Sequence, residues 1–526
     1  MKRICRLIMA AGLVLGIAQV AVASSVPVGA APLVSAATAD YGLQFDTDFN
    51  VKGSRLFWLD EETGWNTDLE TLRVFPWVET YLLPPTNAPI PVEMGYYVAA
   101  RQWSTDEAVN RLWLLRVQKN GEVDHDYGLD GWKLVGYGRF ADVAAGAHGE
   151  IYMLDEGVRR VYCMRLDTDL SCFPNGVGLL DYPLAGTNPY LWAKPTRLLY
   201  DKTYGLFIAG TIGHTTRGTM VAVSRMTGTA GSTGTSGGQL VTTFGTNGHV
   251  IGAPSWSPAT GLAASVQAMA LRNSGGAANH VLYIGGSSNA ASANNQTDGF
   301  VHSLSPSTGA MGAINWRSVD YEKDNNPSRY NDAVTALTVA ANGDVVFAGW
   351  SESMDADITP MLMGRIRSTG AADLGFCSHW AQVTTVGVCL VDPPLAYGMF
   401  RYSPSANPVS VIERSNGDLV VLSHYRDFEK GSQRHMQVQQ FSADGNWLYS
   451  ELEINPDSPN QVNIGKPVEM VATGVEKDHL TLVGGQLPAS SSSVEMAVAV
   501  LKGGDAPHVC LFAGGFEETE STAECW

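Results

Sequence analysis

The chain has 526 residues, of which 45% are hydrophobic and only 16% charged, with 56 glycines and 13 tryptophans. This composition builds a packed core and excludes a disordered or low-complexity chain. A formal charge of −18 excludes a grip on nucleic acid, which needs a basic face for phosphate.

The N-terminus carries a processing signal. Lys2, Arg3 and Arg6 precede an apolar run over 7–22, and Ala21-Val22-Ala23 has the small-x-small form of a cleavage site. Residues 1–23 are therefore expected to be a signal peptide, and 24–39 a flexible leader of small residues. The apolar run is short for a membrane span and no stop-transfer pattern follows it. The expectation is an exported chain, secreted or periplasmic, with no membrane insertion. Without the signal, 31 Lys and Arg face 52 Asp and Glu, a charge near −21. Such an excess favours a soluble monomer.

Residues 40–504 form the expected globular part. At its start, Asp46, Asp48 and Asn50 imitate a Ca²⁺-binding EF-hand loop. Position six is Val51 where Gly is needed and position twelve is Phe57 where Glu is needed, so the loop fails. Residues 51–93 are rich in Trp and Pro and read as an irregular insert. It would supply a closing strand or a cap, or offer an aromatic surface to a glycan or peptide; core packing is the simpler role.

From 94 onward the chain repeats. Strand-like pairs joined by Gly turns recur, as in VTALTVAANGDVVFAG (334–349) followed by MLMGRIRSTG, and VSVIERSNGDLVVLSHY (409–425) followed by MQVQQFSADG. A second element, aromatic-Gly-x-x-Gly, occurs at Tyr127–Gly131 and Phe244–Gly248. The stretch LVTTFGTNGHV (240–250) reads as strand, tight turn, strand, because β-branched residues flank two glycines free to take φ > 0. Taking the strand after each turn as anchor, the copies sit at Tyr97, Ile151, Phe207, Leu282, Val345, Leu419 and Leu480, 54 to 75 residues apart. Each interval holds about four short strands. Such a repeat predicts an all-β fold, a β-propeller of four-stranded blades; seven blades are preferred, six or eight being the alternatives.

The unit 334–376, with its Asn-Gly-Asp-Val-Val-Phe-Ala-Gly run, Arg-Ile-x-x-x-Gly strand and Leu-Gly-Phe end, resembles the delta-60 repeat of exported bacterial β-propellers. The resemblance extends loosely over 94–504. It implies a propeller and carries no catalytic residues with it.

Six cysteines remain after the signal, in three close pairs: Cys163/Cys172, Cys377/Cys389 and Cys510/Cys525. An even number in an exported chain points to disulfides, and local spacing favours these pairings among the fifteen that six cysteines allow. Residues 505–526 form a tail closed by the last pair. It resembles a short C-terminal motif of some exported bacterial proteins, carried here by Leu511, Phe512, Gly515, Phe516, Glu517 and Trp526. Asp320, Glu322 and Asp324 in one polar loop, and Asp355 and Asp357 in another, are the oxygen-rich places a Ca²⁺ ion would choose; solvated acidic loops are the simpler reading, and no cofactor is predicted. The eleven histidines make no H-E-x-x-H motif, and no G-x-S-x-G elbow is present. The sequence therefore leads to a non-enzymatic binding or interaction protein for a protein or glycan ligand. The alternative is a hydrolase or lyase acting on a carbohydrate or lactone at a central channel.

Overall fold

Short apolar strands punctuated by Gly turns leave little chain for helices, and the computed structural model contains no helix of more than a single turn among the described residues. The structure describes most of 43–503. Residues 1–42, 46–53, 58–64, 84–87, 184–188, 230–236, 290–295, 320–329, 354–360, 377–387, 392–404, 428–432, 454–465, 474–478, 487–494 and 504–526 lie outside it, with short interruptions at 107, 148, 256, 258, 274–275, 277–278 and 446.

Two short strands come first, β1 (Leu43–Phe45) and β2 (Ser54–Phe57). One sheet follows with β3 (Trp65–Leu83), β4 (Ala88–Ser104), β5 (Asn110–Gln118) and β6 (Trp132–Gly138), and another with β7 (Phe140–Ala145), β8 (Glu150–Asp155), β9 (Arg160–Arg165) and β10 (Val177–Leu179). Next come β11 (Tyr190–Asp201), β12 (Gly205–His214), β13 (Gly218–Met226) and β14 (His249–Gly252), then β15 (Leu262–Arg272), β16 (Val281–Asn289), β17 (Thr297–Leu304) and β18 (Arg317–Val319). These two antiparallel groups share one eight-stranded sheet through a two-residue parallel contact, Gly218↔Leu262 and Thr219↔Ala263. Two more sheets hold β19 (Tyr330–Val339), β20 (Val345–Ser353), β21 (Met361–Ile366) and β22 (Val388–Val391), then β23 (Ser405–Glu413), β24 (Leu419–Asp427), β25 (Gln433–Phe441) and β26 (Trp447–Glu453). The last holds β27 (Lys466–Thr473), β28 (His479–Gln486) and β29 (Glu495–Gly503). Its remaining edge is filled from the other end of the chain: β1 pairs Leu43↔Gly503, and β2 pairs Ser54↔Ala499.

The seven anchor residues chosen from the repeat, Tyr97 to Leu480, fall on the second strands β4, β8, β12, β16, β20, β24 and β28, and all are buried. Where their side chains are described these strands are mostly covered, and strands covered on both faces form continuous apolar runs; β8 is buried along its whole length. Apolar clusters lie between successive sheets. Tyr152, Leu154, Leu206 and Ile208 join the β7–β10 and β11–β14 groups, and Phe207, Phe244, Leu282 and Phe300 join the latter to β15–β18.

Two expectations are corrected here. Val241–Thr243 is not a strand: Leu240 makes one isolated bridge, the chain then turns, and β14 begins only at His249. The Phe244 N–H donates to the Val241 carbonyl at 2.8 Å, and this turn drives Phe244 fully into the core; burying the ring outweighs the β preference of the three residues before it. The glycines do act as expected. Gly245 and Gly248 have φ of 57° and 90°, matching 60° and 91° at Gly128 and Gly131. A Cβ on Gly245 would stand 2.2 Å from the His249 carbonyl oxygen. Nor are the described parts of 51–93 irregular: Trp65–Leu83 is the first strand of its sheet, and Ser54–Phe57 pairs with β29 in the way a closing strand would. Register shifts between Trp65 and Leu69, Thr71 and Arg73, and Trp77 and Val78 break the two-residue alternation that would have marked it as a strand.

Candidate functional site

The first strands of the sheets follow one another in contact: β3 beside β7, then β11, β15, β19, β23 and β27, which lies beside β3 again. Each of the seven carries a register shift at an equivalent place, where one residue has no partner on the second strand. The unpaired residues are Leu72, Ala141, Thr196, Gln267, Thr335, Val409 and Val468. In three strands the residue before the shift is a proline, Pro195, Pro408 or Pro467, which has no N–H for the ladder. A bulge bends its strand and re-aims the next side chain. The residues that follow are Arg73, Asp142, Arg197, Ala268, Ala336, Ser410 and Glu469.

A cavity of about 790 Å³ lies among these strands, lined by residues of all seven. One side of it is charged. The Arg73 guanidinium grips Asp142 with two bonds, Nε to Oδ1 at 2.8 Å and Nη2 to Oδ2 at 3.0 Å, and its Nη1 donates to Glu469 Oε1. Asp142 also accepts the backbone N–H groups of Val143 at 2.9 Å and Leu198 at 2.8 Å. Glu469 Oε2 accepts the Val74 N–H at 2.8 Å. Asp142 is 2% exposed and Glu469 16%, while Arg73 keeps 29% of its side chain accessible. Burial alone would lower the Arg73 pKa, but the two carboxylates outweigh it and hold the group well above the usual arginine value.

Arg197 stands beside this triad in a different state. Its Nε donates to the Gln267 carbonyl at 2.8 Å. Neither Nη nitrogen has a hydrogen-bond partner among the described residues, and the side chain lines the cavity. Burial pushes its pKa below the usual arginine value against the pull of Asp142. The opposite wall holds no carboxylate, lysine or arginine among its lining residues: it is made by Ala268, Ala336, Ser410, Thr335, Asn407 and the half-buried His424.

Side chains tie every neighbouring pair of first strands or their hairpins. Glu469 reaches Val74, Arg73 reaches Asp142, Asp142 reaches Leu198, and Arg197 reaches Gln267. Arg272 donates to the Gly343 carbonyl at 2.9 Å, Thr335 Oγ1 to Pro408 at 2.5 Å, and Ser410 Oγ to Met470 at 3.2 Å.

Of the residues marked in the sequence, Cys163 and Cys172 are described in full, and neither lines the cavity. Cys163 and Cys172 form a disulfide with Cα atoms 5.2 Å apart. A disulfide suits an oxidising, extracellular setting. Asp320, Glu322, Asp324, Asp355, Asp357, Cys377, Cys510 and Cys525 fall outside the described residues, as does the side chain of Cys389. No group of three or more His, Cys, Asp or Glu able to hold a metal occurs among the described residues, and no helix there is long and apolar enough to cross a membrane. A Ser–His pair does exist: Ser224 Oγ is 2.8 Å from His249 Nδ1. Both are buried, and His249 Nε2 faces the Asp181 carbonyl rather than a carboxylate. Burial holds the His249 pKa below the usual value, and the pair is a hydrogen bond of the core.

No family model matches the chain, and no curated protein matches it in sequence. Among solved structures it is similar to virginiamycin B lyase from Staphylococcus aureus, at 9% identity and a TM-score of 0.36 over 85% of this chain and 99% of that one. It is similar to the α-L-arabinofuranosidase Arb93A from Fusarium graminearum, at 10% identity and 0.40 over 86% and 97%. A third is the PQQ-bound aldose sugar dehydrogenase from Streptomyces coelicolor, at 9% identity and 0.34 over 69% and 95%. These are β-propeller proteins. At such identity and score the likeness transfers no activity, substrate or site to this chain.

Proposed function

We propose that the chain is an exported, monomeric β-propeller of seven four-stranded blades, built on a delta-60-like repeat, that binds a small polar molecule in the cavity on its axis without transforming it. The blades are the sheets above, with the eight-stranded one counted as two, and β1 and β2 close the ring on β29. The observation that carries the function is the cavity: all seven first strands line it, and their bulges turn Arg73, Arg197 and Glu469 towards it. The hydrolase or lyase reading needs a carboxyl group free to move a proton. Burial raises the Glu469 pKa, but both of its oxygens are taken, by Arg73 and by the Val74 N–H; Asp142 is likewise bound to Arg73 and to backbone N–H groups, which favours holding a ligand over proton transfer.

A thermal-shift screen of small polar fragments on the mature protein tests this. Saturating ligand at about 100 times its Kd adds about 2.7 kcal/mol. For a unit spanning 43–503, unfolding entropy near 2.1 cal/mol/K per residue converts this into a rise of about 2–3 °C. Asn407 lines the cavity and is exposed, and its side-chain amide has no hydrogen-bond partner among the described residues. Asn407→Trp should leave the melting temperature of the free protein nearly unchanged and abolish the response to the fragments. Fragments that stabilise the variant as well as the original bind elsewhere and refute the cavity; fragments consumed on incubation favour the hydrolase or lyase.

A further inference from the structure

The geometry points to Arg197 as the anchor for a carboxylate, so that the ligand of the cavity is a small hydroxylated monocarboxylic acid, of the chemical class of the sugar acids. This rests on the cavity being the binding site and adds what it selects. Three observations carry it. Arg197 is held in place by its Nε bond to the Gln267 carbonyl, which leaves both Nη groups without partners among the described residues. Two such N–H groups on one rigid plane match the two oxygens of a carboxylate. The donors line a cavity of about 790 Å³, roomy enough for a molecule of several carbons.

The second observation is charge. Arg73 lies between Asp142 and Glu469, a set with one negative charge in excess, and Arg197 brings the group to zero. One added carboxylate places a single negative charge on Arg197. A phosphate dianion would add two beside Asp142 and Glu469, and like charges at short range repel. The fork therefore favours a monocarboxylate over phosphate.

The third is the far wall. Ala268 and Ala336 leave space, and Ser410 and Thr335 carry hydroxyls already engaged with the Met470 and Pro408 carbonyls. The Asn407 amide has no partner there. Small neutral surface with an uncommitted amide suits the hydroxylated, uncharged body of a ligand whose charge sits on the other side.

The experiment is a titration of the mature protein by calorimetry with D-galacturonate, acetate, D-galactose and inorganic phosphate as probes. Galacturonate should bind saturably and more tightly than galactose or phosphate. Arg197→Gln should weaken galacturonate by about 10- to 100-fold, the range for a bond to a charged group, while Arg197→Lys, with the charge but no fork, should fall between. In the unsubstituted protein, phenylglyoxal should modify Arg197, and galacturonate but not galactose should protect it; this readout needs no variant to fold. Equal binding of galactose and galacturonate, unaffected by Arg197→Gln but lost in Asn407→Trp, overturns the anchor and leaves the cavity standing. Tighter binding of phosphate, or Arg197 left unprotected by galacturonate, overturns the anchor outright. Absence of binding by every probe overturns it too.

Discussion

Replacing Asp142 with Ala should lower the melting temperature by about 3–5 °C, more than removing the other carboxylate bound to Arg73, Glu469. Asp142 is 2% exposed and accepts four N–H groups: two from Arg73, one from Val143 and one from Leu198. Removing one partner of a buried ion pair costs about 3–5 kcal/mol, because the other is left charged and unpaired. Here two backbone N–H groups are orphaned as well, that of Val143 in the same strand and that of Leu198 at the junction with the next sheet. With unfolding entropy near 2.1 cal/mol/K per residue over the span 43–503, a degree corresponds to about 1 kcal/mol. The shape of the residue is not what matters. Asp142→Asn keeps the shape and still accepts from Leu198, but it removes the charge and turns an N–H donor towards Arg73, so it should lose at least as much. Glu469→Gln should lose less, since Glu469 is 16% exposed and makes one backbone bond. Calorimetric melts of the three variants decide it; Asp142→Asn melting like the original would reduce Asp142 to a space-filler.

Phe244→Ala should cost about as much, roughly 3–5 kcal/mol, the range for removing a buried Phe. The ring is fully buried between the β11–β14 and β15–β18 groups, against Phe207, Val223, Leu282 and Phe300. Two backbone bonds place it there: its own N–H to Val241, and the Gly245 N–H to the Thr308 carbonyl of the neighbouring group at 2.7 Å. The loss is local to one junction, so ligand binding at Arg197 should persist. A melt unchanged by the substitution would mean that the turn, rather than the ring, holds this junction.

Much of the fold was legible because the second strands advertise themselves. Tyr97, Ile151, Phe207, Leu282, Val345, Leu419 and Leu480 each sit in an apolar run entered through a turn, and strands covered on both faces leave that trace. The first strands were harder. Their bulges shift the alternation by one residue, so no period-two pattern says which side chains face inward. The cavity residues went unseen for that reason, and because their partners are remote: Arg73 and Asp142 are 69 residues apart, and Arg73 and Glu469 are 396 apart. A signal was nevertheless present. Set in register, the strands read TLRVF, FADVA, PTRLL, VQAMA, VTALT, PVSVI and PVEMV. The middle column is Arg, Asp, Arg, Ala, Ala, Ser, Glu, whereas the fourth is apolar throughout. A charge in mid-strand between apolar neighbours is costly unless it is paired or faces a cavity, and comparing the copies column by column would have found this one.

An axial binding site of the proposed kind requires a ring closed by the start of the chain pairing with its end. The register puts Leu56 opposite Ala497 on β2 and β29. Directly opposed residues of an antiparallel pair have Cα atoms about 4.5–5.5 Å apart, inside the span of a disulfide. The protein carrying Leu56→Cys and Ala497→Cys, mildly oxidised while folded and then digested, should yield a peptide joined through those two residues, and its melting temperature should exceed that of the reduced form. Two free thiols at these positions, under conditions that oxidise Cys163 and Cys172, would mean that the ring is open and would contradict an axial binding site.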